Sequence, residues 1–418
     1  MIKPRKNLDI KEEMKSNDWR YLVYETGQKT LSLCVKQHRI MDVFLEERCK
    51  IKVGDIYLGR VTRIVKNIDA AFLELGNDQS CFLPLADVKE PLLTNRKYDG
   101  QIKESDQLVI QIKKEAYKSK MAVASTKLEI VGDYCVVSNQ NNSMSFSKKT
   151  TPEKRESMRL EIEKYPELLH YNGSILLRTK ACDAKHHKNA IQEALNLTAQ
   201  MLEMTENVIH RPKIGLIYEA EGLYHDLIRR CNNDGGIIYT QAQSQYEQLK
   251  KVANELQLDC DGMILLYNDE SISMNALFGV GNMIKEITSE KVWMKSGGNL
   301  YITPTEALTV IDVNTAKSQG KEKREETFLA INLEAATQIA YQIRARNLSG
   351  MIIVDFINMN DEKSITILLE AFKKALSCIN PPGILVDVTK LGLIEITRKK
   401  ETTDIYQKMT SIDKTILL

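Results

Sequence analysis

Two apolar runs, 307–314 and 351–355, each carry an aspartate near their carboxyl end, and a stretch of helical periodicity joins them. Side chains alternate between the two faces of a strand, so Leu308, Val310, Asp312 and Asn314 share one face of the first run. Between the runs, Leu329, Leu333, Ala336, Ala340 and Ile343 recur at spacings of three and four, which predicts a helix over 326–346. It stops at 347–350, where Gly350 tolerates a left-handed cap. Residues 351–354 are wholly apolar, as expected of a strand buried on both faces of a parallel sheet. Strand, helix, strand implies a right-handed crossover. Both strands then point the same way, and Asp312 and Asp355 come close at the sheet edge where α/β folds bind ligands. Two carboxylates there can hold Mg²⁺, because hard cations take oxygen ligands and magnesium often needs only one or two from the protein. A helix N-cap or loop anchor is the competing reading of such an aspartate. Asn314 is placed to orient Asp312 or touch a phosphate, whereas Asp387, ending the run 383–386, is read as structural.

The chain has 418 residues, more than one compact core usually holds, so two or more domains are expected. With 43% hydrophobic and 27% charged residues it reads as globular, without a disordered tract. No apolar run approaches the roughly 20 residues of a membrane crossing. The basic start, residues 1–6, lacks a following apolar stretch and is no secretory signal, so a cytoplasmic location is expected. The eight cysteines are scattered without zinc-ligand spacing, and Cys34, Cys135 and Cys182 read as small buried hydrophobes. A net charge of +2 means that any nucleic-acid binding must come from local basic patches.

Runs at 21–24, 31–35 and 40–44 predict a strand meander, and 53–130, punctuated by Gly54, Gly59, Gly76 and Gly100, predicts a small β-barrel. The polar stretch 138–151 is read as a loop. Helices are expected over 154–165 and 188–202 with a strand at 174–178 between them. After Pro212 the pattern turns α/β, with strands at 214–218 and 236–239 and helices at 223–230 and 244–256.

The stretch Glu306-Ala307-Leu308-Thr309-Val310-Ile311-Asp312-Val313-Asn314, then Asn332-Leu333-Glu334-Ala335-Ala336 and Ile353-Val354-Asp355-Phe356-Ile357, resembles the signature of the ribonuclease E/G family. Residues 391–399 resemble the segment that closes that family's catalytic domain, and upstream similarity reaches back to about residue 50. The resemblance implies a multidomain α+β and α/β chain. A ribonuclease-H-like subdomain, 1–50 and 212–278, is interrupted by an S1-type OB barrel, 51–131, and a 5′-sensor subdomain, 132–211. A deoxyribonuclease-I-like catalytic domain follows over 279–418.

It also implies an endoribonuclease that cuts single-stranded RNA with Mg²⁺, or Mn²⁺, held by Asp312 and Asp355 and with Asn314 assisting, leaving 5′-phosphate products. Gly54 to Val61, Ala70 to Leu73 and Cys81 to Leu85 resemble an S1 fold, in which Phe72 and Phe82 match base-stacking positions and Lys120 a channel residue. Arg60, Arg63, Lys66, Lys113 and Lys114 would add phosphate attraction. The run Leu177-Arg178-Thr179 resembles a 5′-monophosphate anchor, with Gly132 and Val136 as backbone positions completing the pocket. Lys317, Lys321, Lys323 and Arg324 would guide the RNA backbone, with a solvated loop as the alternative. No CPxC zinc motif is seen, so any homo-oligomer is expected to form without a zinc link. Asn358, Cys81 and Ser349 depart from the family's usual residues. The rival functions are an inactive RNA-binding or ribosome-maturation factor and a DNA nuclease.

Overall fold

A computed structural model describes residues 18–47, 51–116, 120–211, 213–315, 324–400 and 404–410. Strands β1 (Arg20–Thr26), β2 (Lys29–Lys36) and β3 (Arg39–Glu47) form an antiparallel meander. Its second turn holds Gln37 and His38 at φ of 51° and 56°, the paired positive values of a hairpin turn whose twist suits the flanking strands.

Strands β4 (Ile56–Val65), β5 (Ala70–Gly76), β6 (Gln79–Pro84), β7 (Gln107–Lys114) and β8 (Ala122–Ser125) close into a barrel, because β4 pairs with both β5 and β7 while β8 bridges β6 and β7. Val61, Leu73, Leu83, Leu108, Ile110 and Ala124 fill it, alternating with residues that face outward. Next come β9 (Glu129–Val131), β10 (Cys135–Ser138), β11 (Ser143–Phe146), α1 (Pro152–Ile162), α2 (Pro166–Leu169), β12 (Ser174–Leu177), α3 (His187–Asn207) and β13 (Gly215–Tyr218).

The strand β11 corrects the loop expected over 138–151. It lies parallel to β12 at the edge of a four-stranded sheet, and its Met144 and Phe146 pack on the buried cluster around Leu177 and Ala190. The strand β13 pairs with β4 and extends the barrel's sheet. Residues Cys49–Glu221 therefore form one compact unit, and Met1–Arg48 with Gly222–Leu418 form the other.

In that second unit, α4 (Leu223–Asp234), β14 (Ile237–Thr240), α5 (Gln243–Glu255) and β15 (Ile264–Leu266) complete the meander's sheet in the order β15-β14-β1-β2-β3, with β14 and β15 parallel to β1. Then follow α6 (Met274–Phe278), α7 (Val280–Thr288), β16 (Lys291–Trp293), β17 (Asn299–Pro304), β18 (Leu308–Asn314), α8 (Arg324–Ala345), β19 (Gly350–Asp355), α9 (Glu362–Ser377), β20 (Gly383–Val388), β21 (Ile394–Arg398) and α10 (Ile405–Thr410). These strands form a mixed six-stranded sheet ordered β16-β17-β18-β19-β21-β20.

Helices α8 and α9 cover one face of this sheet. Ile311, Ile352, Val354 and Ile396 bury there against Ala336, Ile339 and Phe372, each large side chain contributing about 1.5–3 kcal/mol. The α8 residues Tyr341 and Ala345 reach instead into the core of the first sheet, so this one helix is shared by two cores. The other face of the six-stranded sheet is open. Met351 is 57% exposed and Val310 38%, which corrects the expectation of a strand buried on both faces: helices here lie on one side only.

Candidate functional site

The parallel pairing of β18 and β19 sets Asp312 directly opposite Asp355. Adjacent strands lie about 4.8 Å apart, and directly paired residues share a face, so the two carboxylates stand side by side on the open face. Asp355 is exposed and Asp312 half-buried. Asn314, two residues on and on the same face, donates its amide N–H to Asp312 Oδ2 at 2.6 Å. Neither aspartate forms an ion pair with a lysine or arginine among the described residues. Two like charges at this spacing, with no ion-paired cationic side chain among the described residues, fit a divalent cation, and an all-oxygen donor set of two carboxylates suits magnesium. Among the described residues no cluster of three or more His, Cys, Asp or Glu side chains is placed to hold a metal.

Helix α8 fixes the backbone around the pair. The side chain of Asn332, fully buried, donates to Ile357 O at 2.8 Å and accepts from Ile357 N at 3.1 Å, clamping the chain just after Asp355. Glu334 accepts from the backbone N–H groups of Lys295 (2.7 Å) and Ser296 (3.1 Å), closing the turn between β16 and β17. Those hydrogen bonds and the nearby lysine hold its carboxyl below the usual range despite partial burial. Glu325 accepts from Asn360 N at 3.1 Å and Asn360 Nδ2 at 3.0 Å. Asn332 and Glu334 belong to the family-like stretch 332–336, but their spacing of two on a helix does not reveal which loop each meets. Asp387 is exposed, pairs in register with Glu395 and accepts from Val388 N at 2.8 Å. The basic stretch around Lys317, Lys321 and Lys323 lies outside the described residues, as does the Arg324 side chain.

On the barrel, Phe72 and Phe82 are directly paired across β5 and β6, half-buried, with ring centroids 5.8 Å apart at an interplanar angle of 75°. Arg63 pairs with Phe72 from β4 and is exposed, so a cation adjoins the two rings. Lys120 is exposed, two residues ahead of β8. Lys113 does not belong to a free basic surface: its ammonium is paired with Glu129 at 2.7 Å and also donates to Gln111. Arg60 lies 3.9 Å from Glu74, while Lys66 and Lys114 are exposed.

Gly132, Val136, Arg178 and Thr179 meet at one end of the four-stranded sheet, where Arg178 N donates to Tyr134 O at 2.8 Å. The Arg178 side chain is exposed and has no partner among the described residues; Thr179 Oγ donates to Ser147 Oγ at 3.0 Å. Gly132 serves as space, since its N–H already donates to Cys135 O and a Cβ there would sit 2.3 Å from Glu193 Oε1. Glu193 itself accepts from the N–H groups of Asp133, Tyr134 and Cys135 at 2.7–3.0 Å, a run of backbone donors of the kind that binds anions.

A closed barrel carrying paired rings and an adjacent cation defines an S1-type RNA-binding module, and residues 50–127 match the S1 RNA binding domain. Residues 129–401 match the Ribonuclease E/G family, and the chain belongs to that family. It is 29% identical over 397 residues to ribonuclease E of Synechocystis sp. (strain ATCC 27184 / PCC 6803 / Kazusa), covering 89% of this chain and 57% of that protein. Ribonuclease G of Haemophilus influenzae is 27% identical over 392 residues, 91% of this chain and 79% of that protein. A ribonuclease E/G-like protein of Pyropia yezoensis is 30% identical over 369 residues, 86% and 71% respectively. No described helix is long and apolar enough to cross a membrane.

Proposed function

We propose that this chain is a magnesium-dependent endoribonuclease that cuts single-stranded RNA in RNA processing or decay and leaves 5′-phosphate products. The observation that carries this reading is the register pairing of Asp312 with Asp355 on an open sheet face, with no ion-paired lysine or arginine among the described residues, in a chain of the ribonuclease E/G family. Both carboxylates would hold the metal, which when bound supplies Lewis-acid polarisation of the scissile phosphate; manganese can take the same place. Asn314 keeps the Asp312 carboxylate turned toward that position, and Asn332 keeps Asp355 at the sheet edge by holding Ile357. Phe72 and Phe82 stack unpaired bases, and Lys120 and Arg63 meet the RNA backbone. Single strands are favoured because stacking on a protein ring requires an unstacked base.

Arg178 and Thr179, with Gly132 and Val136 shaping the pocket, bind a 5′-monophosphate and thereby speed cleavage. The exposed Arg178 side chain, which has no hydrogen bond or ion pair among the described residues, supports this assignment, since a guanidinium fork matches phosphate oxygens. The sheet order β15-β14-β1-β2-β3, a meander flanked by two parallel strands, supports a ribonuclease-H-like subdomain. The six-stranded sheet with its helices supports a deoxyribonuclease-I-like catalytic domain beginning near residue 279, and the 5′-sensor begins near 132. A cytoplasmic location completes the reading.

The test uses labelled single-stranded RNA with monophosphate or hydroxyl 5′ ends, with Mg²⁺ or with EDTA. Asp312→Asn and Asp355→Asn should each lower cleavage by about 10²-fold or more, the scale on which loss of one charge-stabilising group acts. Either variant cutting as well as wild type would overturn the assignment. RNA left intact by the wild type while still bound would favour an inactive RNA-binding factor.

A further inference from the structure

We propose that Lys291, Trp293 and Tyr301 form a nucleobase-stacking subsite for single-stranded RNA beside the paired aspartates. This rests on the function proposed above and deepens it by naming where the catalytic unit itself grips a base. Lys291 and Trp293 alternate onto the same face of β16, and antiparallel pairing puts Tyr301 opposite Lys291. Tyr301 is in turn paired with Asp312, so one row of directly opposed residues crosses four strands: Lys291, Tyr301, Asp312, Asp355. Val292, Leu300 and Ile302 point the other way into the core, which leaves the rings of Trp293 and Tyr301 on the open face, 66% and 41% exposed.

The Lys291 ammonium lies 4.2 Å from the Trp293 ring centroid and 5.4 Å from that of Tyr301, and it makes no ion pair among the described residues. Two rings in solvent with an uncommitted cation over them offer what an unpaired nucleotide needs: π faces for the base and a positive charge for its phosphate. Tyr301 stands one strand, about 4.8 Å, from Asp312, so a base held there brings its neighbouring phosphodiester to the carboxylates. A protein partner fits this face less well. Interface centres are depleted of charge, whereas here the row runs from the rings straight into two carboxylates, with Glu395 facing Ile353 in the next row.

The chain has two tryptophans, so Trp19→Phe leaves Trp293 as the sole indole reporter. Oligouridylate titrated into that variant in EDTA should quench its emission to saturation, and Tyr301→Ala should weaken that quenching. With Mg²⁺, Trp293→Ala or Tyr301→Ala should raise KM for single-stranded RNA by about tenfold, the change expected on losing one stacked base, with the melting temperature unchanged because both rings are exposed. Unchanged emission from a protein that does cleave RNA would overturn the subsite and leave the enzymatic reading intact. Quenching of the Trp19→Phe variant, alongside a wild type that cuts nothing, would uphold the subsite and overturn the enzymatic reading. A blue shift that grows with protein concentration alone and vanishes in Trp293→Ala would mean that a second copy of this chain covers the face, which overturns the proposal.

Discussion

Arg346 and Lys408 carry cationic side chains into the protein and are held by different means. Arg346 is fully buried, and its guanidinium donates to Gln342 Oε1 (2.6 Å), Ser289 O (2.8 Å), Glu286 O (3.1 Å) and the Tyr406 hydroxyl, so one planar fork ties α7, α8 and α10 together. Lys408 donates to Val43 O at 2.6 Å, and burial pulls its pKa down from 10.5 to about 8. A lysine whose folded pKa is depressed binds fewer protons folded than unfolded between those two values. Stability therefore rises as pH climbs from about 8 towards 10.5, where the penalty for burying the charge is relieved. The melting temperature of the wild type relative to Lys408→Met should increase across this window. A difference that stays flat would show that the ammonium is not desolvated as the structure has it.

Helix α8 organises the acidic pair at the level of elements, since its side chains reach the turn between β16 and β17 and the loop that follows β19. Removing the Asn332 amide strands the peptide of Ile357, so Asn332→Ala should destabilise the fold by about 1–3 kcal/mol in a denaturant titration. It should also lower kcat more than KM, because Asp355 loses its anchor; a normal kcat alongside the lost stability would make Asn332 purely structural. The unit β18, α8, β19 was legible in the sequence almost to the residue, predicted at 307–314, 326–346 and 351–355 and observed at Leu308–Asn314, Arg324–Ala345 and Gly350–Asp355. Its two periodicities run unbroken, and that is what pattern reading detects. The strand β11 was not legible, because serines and asparagines hide a ladder whose partner, β12, lies beyond two helices. Trp293 and Tyr301 were not legible as site residues in the sequence. Only pairing shows which face the helices leave bare. The Glu193 carboxylate seated on three backbone N–H groups escaped for a related reason, since those donors belong to a turn far from it in sequence.

For the whole molecule, 58 basic residues against 56 acidic ones leave almost no long-range field, so attraction to RNA has to be local. The logarithm of RNA affinity should fall linearly with that of salt, at about −0.7 per phosphate neutralised. Arg63→Gln should flatten that slope by about 0.7, whereas Phe72→Ala should weaken binding by about 1–3 kcal/mol and leave the slope alone. Filter binding across a potassium chloride series distinguishes the two, and a slope change on losing Phe72 would contradict its stacking role. The interruption of one compact unit by the other has a consequence for biogenesis. Strand β1 leaves the ribosome roughly 210 residues before its parallel neighbour β14, an interval of about 10–40 s at about 5–20 residues per second. The barrel can close in that time from its own nascent segment. The meander meanwhile waits with the β1 edge that β14 will fill still bare, a window in which a chaperone, or the wrong strand, can reach it first.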